Sequence, residues 1–197
     1  PKSNSWENLF LDNNINHIAL NGIEKQGFEI GIGEETGADK VFIKNKKELT
    51  VAFLGGSITF NNGWRNKLCQ YFQEAYPQTK FEFIAAGIPS LGSLPHAFRL
   101  QSDVLNKGNI DLLFIEAAVN DHANKTEPVI QRRAIEGLIR HSIIYNPSIN
   151  IVLMAFADED KNSDYEKNIE PAEVELHRQL TGYYKLPFIN LSKEVYE

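Results

Sequence analysis

The sequence predicts an α/β protein built on a mainly parallel five-stranded sheet with helices on both faces. Three observations carry this. Five short apolar runs recur after residue 48, at Leu49–Leu54, Phe81–Ala86, Ile110–Ile115, Ile149–Phe156 and Phe188–Leu191. These runs are near-continuously apolar rather than alternating, the pattern of strands buried on both faces. Roughly 20 to 30 residues with helical spacing separate each run from the next, enough for the crossovers that parallel pairing needs.

Residues 1–48 precede this pattern and read differently. Asn21–Gly22 is a turn signal between INHIAL and the later GFEIGIG, and DKVFIKN adds a further strand. This stretch is expected to be a small β-rich lead-in, or the end of an upstream domain. The basic run Lys44–Lys47 is expected to face solvent beside a turn.

In the main domain, residues 49–197, Leu49–Leu54 forms the first strand and ends in Gly55-Gly56-Ser57. Trp64, Leu68, Phe72 and Ala75 then mark one face of a helix. Phe81–Ala86 leads into the glycine segment AAGIPSLGS at 85–93, and Ile110–Ile115 leads into EAAVND at 116–121. Pro128 suits an early helical position, with Ile130, Ala134, Leu138 and Ile139 as the stripe of that helix. Ile149–Phe156 precedes the acidic stretch ADEDKNSD at 157–164, which reads as an exposed loop. Glu170 and Pro171 open the last helical interval, whose apolar side is Val174, Leu176, Leu180 and Tyr183.

A length of 197 residues allows one sizeable core but not two comfortable domains. The formal charge of −6 argues against nucleic acid or an anionic membrane as partner, since either rewards a basic face. No apolar run approaches the ~18 residues of a bilayer span, so no membrane insertion is expected. Cys69 is the sole cysteine, which excludes an internal disulfide; its helical setting suits a small, half-buried thiol. The chain opens at Pro1 without an initiator Met, so a processed or trimmed start is expected. Neither a G-x-x-x-x-G-K-[ST] loop nor a G-x-G-x-x-G fingerprint occurs, and no His/Asp/Glu group has metal-ligand spacing. No cofactor or metal is expected.

Three segments fall at the carboxyl ends of successive strands, the edge of a parallel sheet where ligands bind. Ser57, on a strand-to-helix turn, is the nucleophile candidate. Gly87 and Gly92 follow the second strand, and Asn120 the third. Acyl transfer needs such a set, a nucleophile with N–H donors aimed at the developing oxyanion. Each residue also has a plainer reading: Ser57 as a helix cap, the glycines as turn formers, Asn120 as a loop cap.

GGSIT at 55–59, the glycine segment and VND at 119–121 resemble the first three conserved blocks of the SGNH, or GDSL-like, hydrolases. Gly63-Trp64-Arg65, AFRL at 97–100 and LLFIEAAVND at 112–121 extend the resemblance to a bacterial branch, over about residues 49–196. The resemblance implies a three-layer α/β/α, flavodoxin-like fold. It also implies a serine ester hydrolase acting on a small-acyl ester or acetylated carbohydrate, in a secreted or periplasmic setting, with a cytoplasmic one still open. Carried over, it makes Ser57 the nucleophile and its own N–H an oxyanion donor. The Asn120 side chain would be a second donor and the Gly92 N–H a third, with Gly87 as the alternative. The aspartate that helps hold the nucleophile turn in the family is Gly56 here.

The family carries its catalytic Asp and His in a D-x-x-H motif after the final strand, and no such motif occurs in this sequence. The base is therefore expected beyond Glu197, and the chain without it is expected to be severely impaired. His122 is a poor substitute, because base and oxyanion donors belong on different sides of the attacked carbonyl. Arg65, Arg99 and His96 are candidate substrate-binding residues, weighed against surface ion pairs and helix-start packing. His177 is expected to be partly buried on a helix, and His17 and His141 have no chemical context. One of Glu116 and Asp121 is expected to brace the VND loop through backbone hydrogen bonds. The competing reading is a non-catalytic glycan- or anion-binding module that uses the helix start at Ser57.

Overall fold

The apolar runs form strands, and the intervals between them carry the helices. A computed structural model describes residues 27–31, 40–44 and 47–196. Strands β1 (Gly27–Gly31) and β2 (Lys40–Lys44) pair antiparallel as a separate two-stranded sheet. The Asn21–Gly22 turn lies outside the described residues.

The main sheet contains β3 (Glu48–Gly55), β4 (Lys80–Gly87), β5 (Leu112–Glu116), β6 (Asn150–Ala155) and β7 (Phe188–Asn190). Its order is β4-β3-β5-β6-β7, parallel throughout. This is the flavodoxin-like order, which reverses direction at its first strand. The central β5 is buried along its whole length. Ile110 and Asp111 precede β5, and the Asp111 carboxylate accepts the Thr50 N–H at 2.9 Å.

Eight helices join these strands among the described residues. They are α1 (Ser57–Phe60), α2 (Trp64–Ala75), α3 (Ser93–Asp103), α4 (Ala118–Ala123), α5 (Pro128–Tyr145), α6 (Glu159–Glu166), α7 (Ala172–Tyr184) and α8 (Leu191–Tyr196). A 3-10 turn at Leu105–Lys107 follows α3. Side chains alternate across each strand, so the sheet has two distinct faces. Ala52, Leu54, Leu113, Ile115, Ile151 and Leu153 pack with α3, α5 and α7. Val51, Phe53, Leu112, Phe114, Val152 and Met154 cluster with Trp64, Leu68 and Phe72 of α2 and Leu191 of α8.

The acidic stretch at 157–164 is not an exposed loop. Asp158 caps α6 by accepting the Lys161 N–H at 2.8 Å, and Glu159 and Asp160 occupy the first turn, where the helix dipole favours negative charge. Lys161 is 1% exposed and its ammonium pairs with the Asp158 carboxylate. Pro128 stands at the first position of α5, as its fixed φ suits. Cys69 is half-buried, and burial pushes its thiol up to about 11, so it is neutral at ordinary pH. Among the described residues, no helix is long and apolar enough to cross a membrane.

Candidate functional site

Because the strands are parallel, their carboxyl ends share one edge. Gly55 pairs with Gly87 across β3 and β4, and Leu54 pairs with Ile115 across β3 and β5. The Ile88 N–H donates to the Gly55 carbonyl at 2.9 Å, carrying this alignment one residue past the strands. The loops after β3, β4 and β5 therefore leave the sheet side by side.

Ser57 is the first residue of α1 and is partly exposed. A first-turn amide such as the Ser57 N–H has no acceptor within its own helix. Gly56 allows a close approach from two directions. A β-carbon there would collide with the Asn120 amide nitrogen and stand 3.5 Å from the Leu91 carbonyl oxygen. The Asn120 side chain thus crowds the turn that carries Ser57, and the Leu91 carbonyl lies within ordinary contact of it.

The loop after β4 is fixed by groups on and just beyond α4. Ser93 N–H donates to Asp121 Oδ1 at 2.8 Å, and a β-carbon on Gly92 would strike the same carboxylate. Asn124 Nδ2 donates to the Ser90 carbonyl at 3.0 Å, holding Ser90 at φ 65°. Gly87 lies elsewhere: a β-carbon on it would be 2.5 Å from the Phe60 backbone nitrogen. It gives α1 room to pack on β4, whereas Gly92 lies by the Ser57 turn and Asp121.

Both acids of the third segment act on the main chain, and they brace neighbouring loops as well as their own. Glu116 Oε2 accepts the Gly56 N–H at 3.2 Å, and the Val119 N–H also favours the charged carboxyl. Complete burial nevertheless raises Glu116 to about 7. Burial likewise raises Asp121, against the hydrogen bonds from Ser93 and Thr126. The sequence signal for Glu116 was a single carboxylate closing the apolar run LLFI.

The other candidates engage the protein's own groups. Arg65 Nε donates to the Thr59 carbonyl at 3.0 Å, so the guanidinium satisfies the carboxyl end of α1. Arg99 Nε donates to Asp103 at 2.7 Å, and its Nη1 stands 3.3 Å from His96 Nδ1. His96 is fully buried; desolvation and the Arg99 charge hold it neutral, near 4. His122 lies between Asp160 (3.2 Å) and Glu173 (3.4 Å). His177 is completely buried and donates from Nδ1 to the Glu173 carbonyl at 2.7 Å; burial lowers it to about 4. His141 is exposed, and His17 lies outside the described residues. No group of three or more His, Cys, Asp or Glu among the described residues could hold a metal ion.

A cavity of about 390 Å³ opens beside α1, walled by Ile58, Trp64, Phe156, Ala157, Leu191 and Val195. The edge therefore brings together a hydroxyl at a helix start, the Asn120 amide and an adjacent, largely apolar recess. Amide N–H donors stabilise negative charge that develops on an attacked carbonyl oxygen.

Solved structures share this fold. A two-domain esterase active on acetylated mannans is 26% identical, with a TM-score of 0.62 over 74% of this chain and 38% of its own. The chain thus spans under half the length of that esterase. An acetyl xylan esterase is 23% identical, with a TM-score of 0.62 over 75% of this chain and 80% of its own. A catalytic mutant of an acetylxylan esterase from Geobacillus stearothermophilus is 15% identical, with a TM-score of 0.61 over 75% and 78%. No protein-family description matches the chain, and no curated protein sequence matches it.

Proposed function

We propose that residues 49–196 carry the nucleophile and oxyanion site of a serine ester hydrolase, with acetylated glycans as its substrate class. The carrying observation is the close approach of the Asn120 amide to Gly56, immediately before Ser57. The solved esterases of the same fold, active on acetylated mannans or xylans, support the choice of substrate.

In this reading Ser57 Oγ attacks the acetyl carbonyl and gives its proton to a histidine. The Ser57 N–H, the Gly92 N–H and the Asn120 side-chain amide receive the oxyanion. Collapse of the tetrahedral intermediate expels the sugar hydroxyl, and water then releases acetate from Ser57. The base and its acidic partner are proposed to be the D-x-x-H pair that the family resemblance implies, a motif that does not occur in this sequence. The apolar recess between Ile58 and Leu191 lies beside α1.

The test is hydrolysis of p-nitrophenyl acetate and of acetylated xylan and mannan by the full-length gene product. Ser57→Ala is expected to abolish turnover, a loss of about 10⁶-fold where a serine nucleophile acts with its base. Asn120→Ala is expected to cost about 10²–10³ in kcat, the effect of one oxyanion donor. Binding of acetylated glycan without Ser57-dependent release of acetate would select the non-catalytic module instead.

A further inference from the structure

The residue immediately before the nucleophile and the one immediately before Asn120 are served by the same carboxyl group. Glu116 closes β5 at the centre of the sheet and is 1% exposed. Its Oε2 accepts the Gly56 N–H at 3.2 Å, one peptide before Ser57. The Val119 N–H, one peptide before Asn120, also favours the charged form of this carboxyl. Its Oε1 has no hydrogen-bond partner and contacts no solvent. Gly56 has no side chain with which to hold the turn itself.

We propose that Glu116 is a positioning residue that sets the Ser57 N–H and the Asn120 amide at a fixed separation by holding the turn before one and the helix start before the other. This rests on the ester-hydrolase reading. An oxyanion is stabilised only by donors already in place, so a shift of well under an ångström between these two loops costs rate without costing fold. The tie has two parts, the acceptor and its charge. As the carboxyl ionises, its bond to the Gly56 N–H becomes charge-assisted and shortens. The charged groups that face it are Asp121, which opposes ionisation, and Lys161, which favours it.

Glu116→Gln keeps size and a carbonyl acceptor but removes the charge, and Glu116→Ala removes both. In the full-length protein, the Gly56 amide proton is expected to move downfield with a midpoint near pH 7, and this titration is expected to vanish in Glu116→Gln. With p-nitrophenyl acetate, Glu116→Gln is expected to lose about 10-fold to 10²-fold in kcat with KM within about 3-fold. Glu116→Ala is expected to lose more in kcat per folded molecule. A purely structural Glu116 would change the melting temperature and leave kcat per folded molecule alone. Ser57-dependent hydrolysis that Glu116→Gln leaves unchanged overturns this proposal and spares the hydrolase reading. Hydrolysis that does not depend on Ser57 overturns both. A Gly56 amide that does not titrate, or that still titrates in Glu116→Gln, shows that Glu116 does not hold the turn.

Discussion

The two faces of the sheet solve the same burial problem with different side chains. One face meets three helices, α3, α5 and α7, through aliphatic side chains such as Leu54, Leu113, Leu138, Ile139, Leu153 and Leu180. The other face relies on rings. Phe53 stacks on Phe114 at 5.3 Å, Trp64 stands edge-on to Phe53 at 5.5 Å, and Phe72 stacks on Phe81 at 5.5 Å. Branched aliphatic side chains interlock across several helix surfaces, whereas aromatic rings bury large areas from few positions. The difference also reaches the site. Trp64, edge-on to Phe53 and Phe114, and Phe156, tilted against Trp64, form walls of the recess near Ser57. The aromatic face borders a recess whose wall includes Ile58, the residue after Ser57.

The strongest way to break this contrast is to empty one position on each side. Phe53→Ala is expected to cost about 3–5 kcal/mol and Leu138→Ala about 2–5 kcal/mol in urea denaturation. Only Phe53→Ala is expected also to lower Ser57-dependent turnover per folded molecule, because Phe53 supports Trp64. Equal effects on turnover from both would remove the distinction.

Acid sharpens it next. His96 on α3 and His177 on α7 are buried on the three-helix side, both held near 4 against 6.5 when free. Between those values the unfolded chain binds protons that the folded one refuses, so stability falls as pH drops from 6.5 towards 4. Each contributes up to about 3 kcal/mol of this loss. Glu116 acts with the opposite sign: raised from 4.5 to about 7, it keeps a proton that the unfolded chain releases, and its contribution falls as pH rises through that window. Stability of His177→Leu measured from pH 4 to 8 should therefore show a flatter acid limb, and Glu116→Gln should lose less stability towards neutral pH.

The smallest effect is at a helix end. Lys185 follows α7 in the left-handed region at φ 55°, a conformation that glycine adopts without strain. Lys185→Gly is expected to raise stability by up to about 1 kcal/mol, visible as a higher melting temperature, with turnover unchanged.

The sheet was legible because β3, β5 and β6 are buried almost throughout and read as continuous apolar runs, while the edge strand β4 is only partly buried. The fold as a whole followed from that pattern and from helix stripes such as Trp64, Leu68 and Phe72. Short elements were harder. α6 has no apolar stripe and exists through the Asp158 cap, the Lys161 pairing and the buried ring of Tyr165. α4 begins inside EAAVND, where six residues are too few to show a period. At the site, the residue types at the strand ends were readable, but their separations were not. That Asn120 leans over Gly56, or that Asp121 holds the Gly92 loop, depends on how loops 28 to 64 residues apart meet at one edge. Glu116 showed only as an acid out of place in an apolar strand.

The strand order also has a consequence for synthesis. Ser57, Gly92 and Asn120 follow β3, β4 and β5, strands that are consecutive in the chain and adjacent in the sheet, with β3 between the other two. A nascent polypeptide emerging from the ribosome has every donor-bearing loop, and Glu116 to hold them, before β6 and β7 have been translated. Those later strands complete the sheet and supply Phe156 and Leu191 as recess walls. The order of translation thus separates the making of the loops proposed to receive the oxyanion from the making of the recess beside them.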